Sequence, residues 1–284
     1  MKQRTFTTTM TDWLTYVVVR VGICIVQSLP RRFLEQQARK WSHFLAYRVN
    51  IRRDVVRDNI ERSFPEWTDE ECREAGRAMW EHLLLMVIEI AHAPRVIRKT
   101  TWRRHLRIEG LEQLIRTLWL DRPKVVLSGH YGNFELAAFL FGVFGFQLFS
   151  VARELDNPFL DQFVTDFRES RGQKILPKKG SAPDVAAVLE ENGAIGLLGD
   201  QAAGRKGCRV DFFGRPASVH KAIGVFALSS EAPVIVCTAT RRDRLFSFDL
   251  RVEGVMDPRD NRPEVQGLTE ISQWYTDLLE GAVR

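Results

Sequence analysis

The chain has 284 residues, of which 45% are hydrophobic and 27% are charged, and its formal net charge is +5. This composition excludes a disordered chain, and the length allows a substantial core in one large domain. Residues 1–122 hold 22 Lys and Arg against 15 Asp and Glu, whereas the remainder holds 19 against 21. The positive excess therefore lies in the N-terminal part. The four cysteines are far apart, which argues against a disulfide framework and fits a reducing compartment.

The longest apolar run covers residues 13–29. It is shorter than the roughly 20 residues of a membrane span and contains Arg20. No small-residue cleavage site follows it, so it fits a secretory signal peptide poorly. We interpret residues 1–30 as a membrane-associated anchor helix, with Arg20 snorkelling and with Trp13 and Tyr16 near the headgroups. The alternative is a core helix of a soluble protein.

Basic residues such as Arg31 and Arg32 follow the apolar run, which places the rest of the chain on the cytoplasmic side of an anionic leaflet. We interpret residues 31–284 as one domain, because no linker, repeat or low-complexity tract interrupts them. Residues 33–63 are arginine-rich and have helical spacing of apolar side chains, which predicts amphipathic helices. Nucleic acid could also attract this charge. The apolar run upstream and the lack of finger, RNP or helix-turn-helix signatures argue against it.

A long helix follows, and after it strands alternate with helices. The segment from Thr68 to Glu71 reads as a capping box that opens the long helix, and Pro94 is expected to end it. Beyond it, periodicity predicts strands over residues 125–128, 148–152, 194–198, 210–213, 234–240 and 246–252. It predicts helices over residues 134–144, 158–170, 183–191, 219–229 and 264–280. This alternation predicts an α/β fold with a mixed, largely parallel central sheet flanked by helices.

The clearest chemical pattern lies between Lys124 and Phe139. A buried strand ends at Gly129, His130 follows at its carboxyl end, and Glu135 comes five residues later in the first turns of a helix. Ligands gather at this end of the strands in open α/β sheets. The turn could bring the two side chains together, so that Glu135 holds one ring nitrogen and the other takes a proton from an alcohol or amine. No Ser or Cys nucleophile is needed if the acyl donor is an activated thioester.

The backbone N–H groups of residues 131–133 are predicted to stabilise the oxyanion that such a reaction develops. The simpler alternative is that His130 caps the helix and Glu135 lies on a solvated face. A metal site is not expected, because the spacing is not HExxH and the other five histidines make no ligand pattern with His130.

The segment from Ser128 to Glu135 resembles the HxxxxE block of the bacterial lipid A late acyltransferases, the lauroyl and myristoyl transferases. It also resembles the HxxxxD block of the mycobacterial phosphatidylinositol mannoside acyltransferase, within the lysophospholipid acyltransferase superfamily. Further segments agree in order along the chain: Val151-Ala-Arg153, Arg168 to Gly172, and Gly199-Asp200-Gln201 with the stretch from Lys206 to Ala217. The resemblance spans about residues 10–280.

This resemblance implies an inner-membrane enzyme whose catalytic domain faces the cytoplasm. It would transfer a fatty acyl group from acyl carrier protein or coenzyme A to a hydroxyl of a glycolipid or phospholipid, such as a lipid A precursor. His130 would be the general base and Glu135 its partner. No cofactor is expected apart from the acyl donor, and the expected partners are the donor, the lipid acceptor and the membrane surface.

Five further residues are predicted to bind substrate. By the resemblance, Arg153 and Arg171 would face anionic groups, and guanidinium suits the phosphates of a carrier arm or a lipid headgroup. Asp200 follows a buried strand and is predicted either to support the base or to bind an acceptor hydroxyl. Lys206 lies in a basic loop that could contact phosphate or anionic lipid. Asn133, in the turn that carries the base, completes the set.

Two rival functions stay open at this point. A thioesterase or lipid hydrolase would use His130 to activate water and would release free fatty acid without an acceptor. A non-catalytic lipid-binding or assembly protein would keep the fold for its groove, and its function would be indifferent to Glu135→Gln.

Overall fold

The structure is a computed structural model that describes residues 5–49, 51–260 and 267–284. Within these residues the helices are α1 Phe6–Ser28, α2 Arg31–Arg48, α3 Arg53–Ser63, α4 Asp69–Val96, α5 Leu111–Leu118, α6 Phe134–Val143, α7 Pro158–Glu169, α8 Ala182–Glu190, α9 Ala222–Ser229 and α10 Leu268–Val283. The strands are β1 Leu106–Glu109, β2 Lys124–Ser128, β3 Leu148–Ala152, β4 Gln173–Pro177, β5 Ala194–Leu198, β6 Cys208–Asp211, β7 Pro216–Val219, β8 Val234–Arg241 and β9 Phe248–Met256.

Seven strands form the central sheet, in the order β1-β9-β8-β2-β5-β3-β4. From β8 to β4 all neighbours are parallel. β9 is antiparallel to β8, and β1 pairs in parallel with β9. β6 and β7 form a separate antiparallel hairpin. The predicted fold class, an α/β fold with a mixed, largely parallel sheet flanked by helices, is confirmed.

Helices cover both faces of the sheet, because successive side chains of a strand point to opposite faces. On β2, Val125 and Leu127 pack with α9, α10 and the β6–β7 hairpin. Val126, between them, packs with α5 and α6 on the other face. The outer side of α6 is covered by α4 and α2 and by the end of α1. α1 and the hairpin therefore lie on opposite faces of the sheet.

α1 is the one helix of the described residues that is long and apolar enough to cross a membrane. None of its residues is buried, and most of its large apolar side chains are exposed. Its inner side packs on α7, where the ring of Tyr16 lies 6.3 Å from that of Phe163 and the guanidinium of Arg20 lies 4.8 Å above the same ring. Tyr16 and Arg20 thus face the domain, whereas the sequence analysis placed them at the headgroups. The division into residues 1–30 and 31–284 stays a prediction.

α4 continues two residues beyond Pro94, which was expected to end it. Proline removes only its own N–H bond from the helix, and beyond Pro94 the N–H of Ile97 still bonds to the carbonyl of Ala93 at 2.9 Å. Other bounds shift as well. The predicted helix over residues 219–229 begins at Ala222, since residues 216–219 form β7.

Four short elements, α5, β1, β4 and β7, were not predicted, because runs of four to eight residues give weak periodicity. The predicted strand over residues 246–252 starts at Phe248 and extends to Met256. The predicted start of the last helix, residues 264–266, lies outside the described residues.

Candidate functional site

His130 and Asp200 meet at the carboxyl edge of the sheet. β2 and β5 are parallel neighbours with Ser128 opposite Leu198, and each functional residue comes two positions further along its own chain segment. Nδ1 of His130 lies 2.7 Å from Oδ1 of Asp200. The backbone N–H of His130 donates to Oδ2 of the same carboxylate at 2.6 Å. One aspartate therefore fixes both the ring and the backbone of His130.

The second ring nitrogen of His130, Nε2, faces the accessible edge. A carboxylate accepts the proton on Nδ1, so Nε2 carries the lone pair. The side-chain amide nitrogen of Gln201 lies 3.2 Å from Nε2 and is placed to donate to it. The hydrogen bond to Asp200 raises the pKa of His130, and the charges of Asp200 and Glu135 act in the same direction, against partial burial. With 35% of its side chain exposed, His130 can meet a substrate.

Glu135 makes no hydrogen bond to His130. Its two carboxylate oxygens accept from Arg168 on α7, with 3.0 Å between Nε and Oε2 and a second bond between Nη2 and Oε1. This ion pair raises the pKa of Arg168. The predicted contact between Glu135 and His130 is wrong, because α6 begins at Phe134 and its first turn directs Glu135 towards α7. Whether Glu135 takes part in catalysis stays a prediction.

A buried polar network lies beneath the turn between β2 and α6. Glu89 on α4 is 1% exposed. Its carboxylate accepts two bonds from Arg241 at 2.6 and 2.7 Å and one from the Asn133 amide at 3.0 Å. Arg241 also approaches Nδ1 of His82 at 3.3 Å, and Nε2 of His82 lies 3.0 Å from the carbonyl of Gly132. Because guanidinium only donates, His82 accepts at Nδ1 and donates from Nε2. Burial lowers the pKa of His82, which favours this neutral ring.

Gly132 fits its place only because it has no side chain. Its φ is +60°, and a Cβ there would lie 2.2 Å from the carbonyl oxygen of Ala239 on β8. The same oxygen accepts the N–H of Asn133 at 2.7 Å. In the described part of the chain the N–H groups of Tyr131 and Gly132 have no acceptor. The predicted oxyanion donors, residues 131–133, are thus reduced to these two, since Asn133 is engaged.

Two of the predicted substrate-binding residues are turned away from the edge. Asn133 is fully buried, and its side-chain oxygen caps α6 by accepting the N–H of Leu136. Arg171 precedes the amino end of β4 and therefore lies at the edge of the sheet opposite to His130. It donates to the carbonyl of Pro94 at 3.1 Å. The geometry gives both residues structural contacts in place of the predicted substrate contacts.

The other predicted residues lie at the same edge as the base. Asp200 is the hydrogen-bond partner of His130. Arg153 follows β3 and has 79% of its side chain exposed, with its nearest carboxylate, Asp156, at 3.7 Å. Lys206 is exposed in a short 3₁₀ turn. Substrate binding by Arg153 and Lys206 stays a prediction.

The sequence analysis gave no role to His82, Glu89 and Arg241, and it used Arg168 only as the first residue of a family-like segment. His82 and Glu89 are seven residues apart, which is about two helical turns, so both lie on one face of α4, next to core residues such as Leu85 and Ile88. Polar side chains in such a place were the available signal. In residues 5–49, 51–260 and 267–284, no three His, Cys, Asp or Glu side chains are grouped to hold a metal ion.

Comparisons with known proteins agree on a family. Residues 1–284 match the family model for bacterial lipid A biosynthesis acyltransferase. The lipid A biosynthesis palmitoleoyltransferase of Escherichia coli (strain K12) is 24% identical over 229 residues, which cover 78% of this chain and 72% of that protein. The phosphatidylinositol mannoside acyltransferase of Mycobacterium tuberculosis (strain ATCC 25618 / H37Rv) is 29% identical over 132 residues, or 45% of this chain and 42% of that one.

A solved structure, the 1-acyl-sn-glycerophosphate (LPA) acyltransferase PlsC from Thermotoga maritima, is also similar. The TM-score is 0.42 at 12% identity, over 89% of this chain and 96% of that chain. The family match over the whole chain confirms the resemblance that the motifs predicted. This chain is an acyltransferase and belongs to the bacterial lipid A biosynthesis acyltransferase family.

Proposed function

We propose that this acyltransferase moves a fatty acyl chain from a thioester of acyl carrier protein or coenzyme A to a hydroxyl of a membrane glycolipid or phospholipid, such as a lipid A precursor. The observation that carries this proposal is the His130–Asp200 pair, which leaves the Nε2 lone pair at the accessible edge of the sheet. The name of the Escherichia coli relative, a palmitoleoyltransferase, supports a fatty acyl group as the unit transferred.

In the first step the acceptor hydroxyl replaces the Gln201 amide at Nε2 of His130. The hydroxyl proton passes to Nε2 while the oxygen attacks the thioester carbonyl, so that a C–O bond forms. Asp200 stabilises the imidazolium that results, because its carboxylate already holds Nδ1–H. The pKa of His130, raised by Asp200, makes the ring a stronger base than free histidine.

In the second step the tetrahedral intermediate collapses. The free N–H groups of Tyr131 and Gly132 are available to bind its oxyanion. The C–S bond breaks, the thiolate takes the proton from Nε2 of His130, and the products are an ester and a free thiol. The proton taken from the hydroxyl thus ends on the thiol, and the reaction needs neither a covalent acyl-enzyme nor a cofactor other than the donor.

Charged residues at the same edge are proposed to position the substrates. Arg153 and Lys206 would bind phosphates of the donor or of the lipid headgroup, as guanidinium and ammonium groups do. Glu135, paired with Arg168, adds a negative charge that helps to raise the pKa of His130.

We further propose that the enzyme works at the inner membrane with its catalytic domain towards the cytoplasm. The length, hydropathy and exposed apolar side chains of α1 support a membrane-associated helix. The basic residues that begin α2 support the orientation.

The test is acyl transfer from a purified thioester to a lipid acceptor. His130→Ala should lower kcat by roughly 10²–10⁴-fold, the usual contribution of general base catalysis. His43→Ala, which changes an exposed histidine of α2, is the matched control and should leave kcat unchanged. Near-normal turnover by His130→Ala would contradict the proposal. Release of free fatty acid at the same rate with and without acceptor would favour a thioesterase instead.

A further inference from the structure

The segment from Gln201 to Lys221 is basic in an otherwise acidic part of the chain. It holds five of the 19 Lys and Arg of residues 123–284, but one of their 21 Asp and Glu. All five basic side chains are exposed: Arg205, Lys206, Arg209, Arg215 and Lys221. Within the described ranges none of them forms an ion pair. Arginines elsewhere in this part, such as Arg259, pair with carboxylates.

These cations come from two pieces of chain that lie side by side. In the hairpin, Arg209 on β6 is opposite Ser218 on β7. The hydroxyl of Ser218 donates to the carbonyl of Gly204 at 2.6 Å. The 3₁₀ turn that starts at Gly204 and carries Arg205 is therefore held against the hairpin. We call the turn and the hairpin together, residues 204–221, the basic hairpin surface.

This surface begins next to the reactive nitrogen. Gln201, whose side-chain nitrogen lies 3.2 Å from Nε2 of His130, is three positions before Gly204. Only two residues separate Gln201 from the start of the basic hairpin surface. An acyl thioester carried by a molecule bound to this surface would therefore lie near His130.

The surface lies on the face of the sheet away from α1. Val210 and Val219 of the hairpin pack into the cluster with α9 and α10, whereas Val26 of α1 packs on the α6 side. A bilayer that receives the exposed apolar side chains of α1 would therefore not lie against the hairpin. Unpaired cations on this side suit a soluble partner with an acidic surface, since complementary charge speeds encounter and fixes orientation.

We propose that the basic hairpin surface docks an acidic, soluble carrier protein that brings the acyl thioester to His130. This inference rests on the proposed function for the chemistry of the donor. It assigns the two substrates to different faces, with the lipid acceptor arriving from the α1 side and the carrier from the hairpin side. A nucleotide-linked thioester concentrates its charge in a few phosphates, so it does not require cations spread over a turn and both strands of a hairpin.

The test compares two sets of charge reversals. One variant combines Arg205→Glu, Arg209→Glu and Arg215→Glu. The control combines Lys174→Glu, Lys178→Glu and Lys179→Glu, which are exposed, lack ion pairs within the described ranges and lie on or just after β4, three strands from β2. Thermal unfolding is the check that both variants are folded.

The measurement is KM and kcat with one acyl chain on acyl carrier protein and on coenzyme A. The hairpin variant should raise the KM for the carrier thioester by about tenfold at low salt and weaken its salt dependence, with kcat little changed. The KM for the coenzyme A thioester should stay the same, and the control variant should behave as the unmodified protein with both donors.

Two kinetic results would overturn the proposal. One is an unchanged KM for the carrier thioester in the hairpin variant. If this variant instead binds phosphatidylglycerol vesicles more weakly than the unmodified protein, the surface binds lipid. An equal rise of KM for both donors would show a phosphate site common to them. Failure of the proposed function looks different, because the unmodified protein would then consume neither thioester. In that case the unmodified protein and the hairpin variant are titrated with the acyl-free phosphopantetheinyl carrier protein. Binding that is lost in the hairpin variant supports docking. Binding that is absent from the unmodified protein, or equal in the two proteins, contradicts it.

Discussion

Two histidines of this enzyme meet the turn between β2 and α6, His130 as part of it and His82 through the carbonyl of Gly132, and their pKa values are shifted in opposite directions. His130 contacts the carboxylate of Asp200 at the open edge, and its pKa is raised. His82 is half-buried beside Arg241, and its pKa is lowered. An anionic neighbour favours the imidazolium, whereas burial beside a cation favours the neutral ring. The first histidine is suited to accept a proton, and the second to stay neutral and hold a carbonyl.

The carboxylates differ in the same way. Glu89 has both oxygens engaged by Arg241 and by the Asn133 amide, and it is closed to solvent. Among the residues that the structure describes, His130 alone donates to the oxygens of Asp200, and Asp200 keeps that ring within reach of substrate. The buried network therefore fixes the turn, while the edge pair keeps its reactivity. Three substitutions test this difference between the buried network and the edge pair, and they are given in order of decreasing expected effect.

Glu89→Gln should lower the free energy of unfolding by about 3–5 kcal/mol, because it leaves the guanidinium of Arg241 without its counter-charge in the interior. Denaturant unfolding measures this. Glu70→Gln on the same helix is the control, since its ion pair with Arg73 is exposed, and it should cost at most about 1 kcal/mol. Equal losses in the two variants would show that the network contributes no more than a surface ion pair.

Asp200→Asn should lower kcat by roughly 10²-fold, or about 2.7 kcal/mol in the barrier, because the imidazolium loses its carboxylate and Nδ1 its fixed acceptor. The free energy of unfolding of this variant should change by less than its activation barrier. Thermal unfolding of the same purified protein measures this. A kcat within about threefold of the unmodified enzyme would contradict the role given to Asp200.

Gly132→Ala should cost about 1–2 kcal/mol of stability for its left-handed backbone, and more for the contact of its Cβ with the carbonyl of Ala239 at 2.2 Å. The turn must move to relieve that contact, so kcat should fall as well. Gly214→Ala is the control, because its φ of +67° is similar but no atom lies within 4 Å of the added carbon. If both variants lose the same stability and neither loses turnover, the turn is not held as tightly as proposed.

Much of the site could be predicted from the sequence. The apolar runs of β2 and β5 are readable, and in a parallel sheet their carboxyl ends reach one edge. His130 and Asp200 were therefore both expected at that edge. The fold class followed from the same alternation of strands and helices, because each element carries its own periodicity.

The sequence could not decide which carboxylate pairs with His130: Glu135 was predicted as its partner, and supporting the base was only one of the two roles predicted for Asp200. Glu135 is near in sequence, whereas Asp200 is 70 residues away and becomes a neighbour only because β5 pairs with β2. Strand order is a property of the packed sheet and leaves no local pattern. The network of His82, Glu89 and Arg241 was missed for a related reason, since helical spacing marks a buried face without telling which polar groups on it find partners.

The pH dependence of kcat/KM tests most directly that Asp200, and not Glu135, sets the basicity of His130. The base works in its neutral form, so the rate should fall as pH drops through the raised pKa of His130. Asp200→Asn should move this acidic limb to lower pH, because the largest influence that raises the pKa is gone. Glu135→Gln should move it in the same direction but less, since Glu135 acts on the ring only through its charge. A larger shift in Glu135→Gln than in Asp200→Asn would contradict the account.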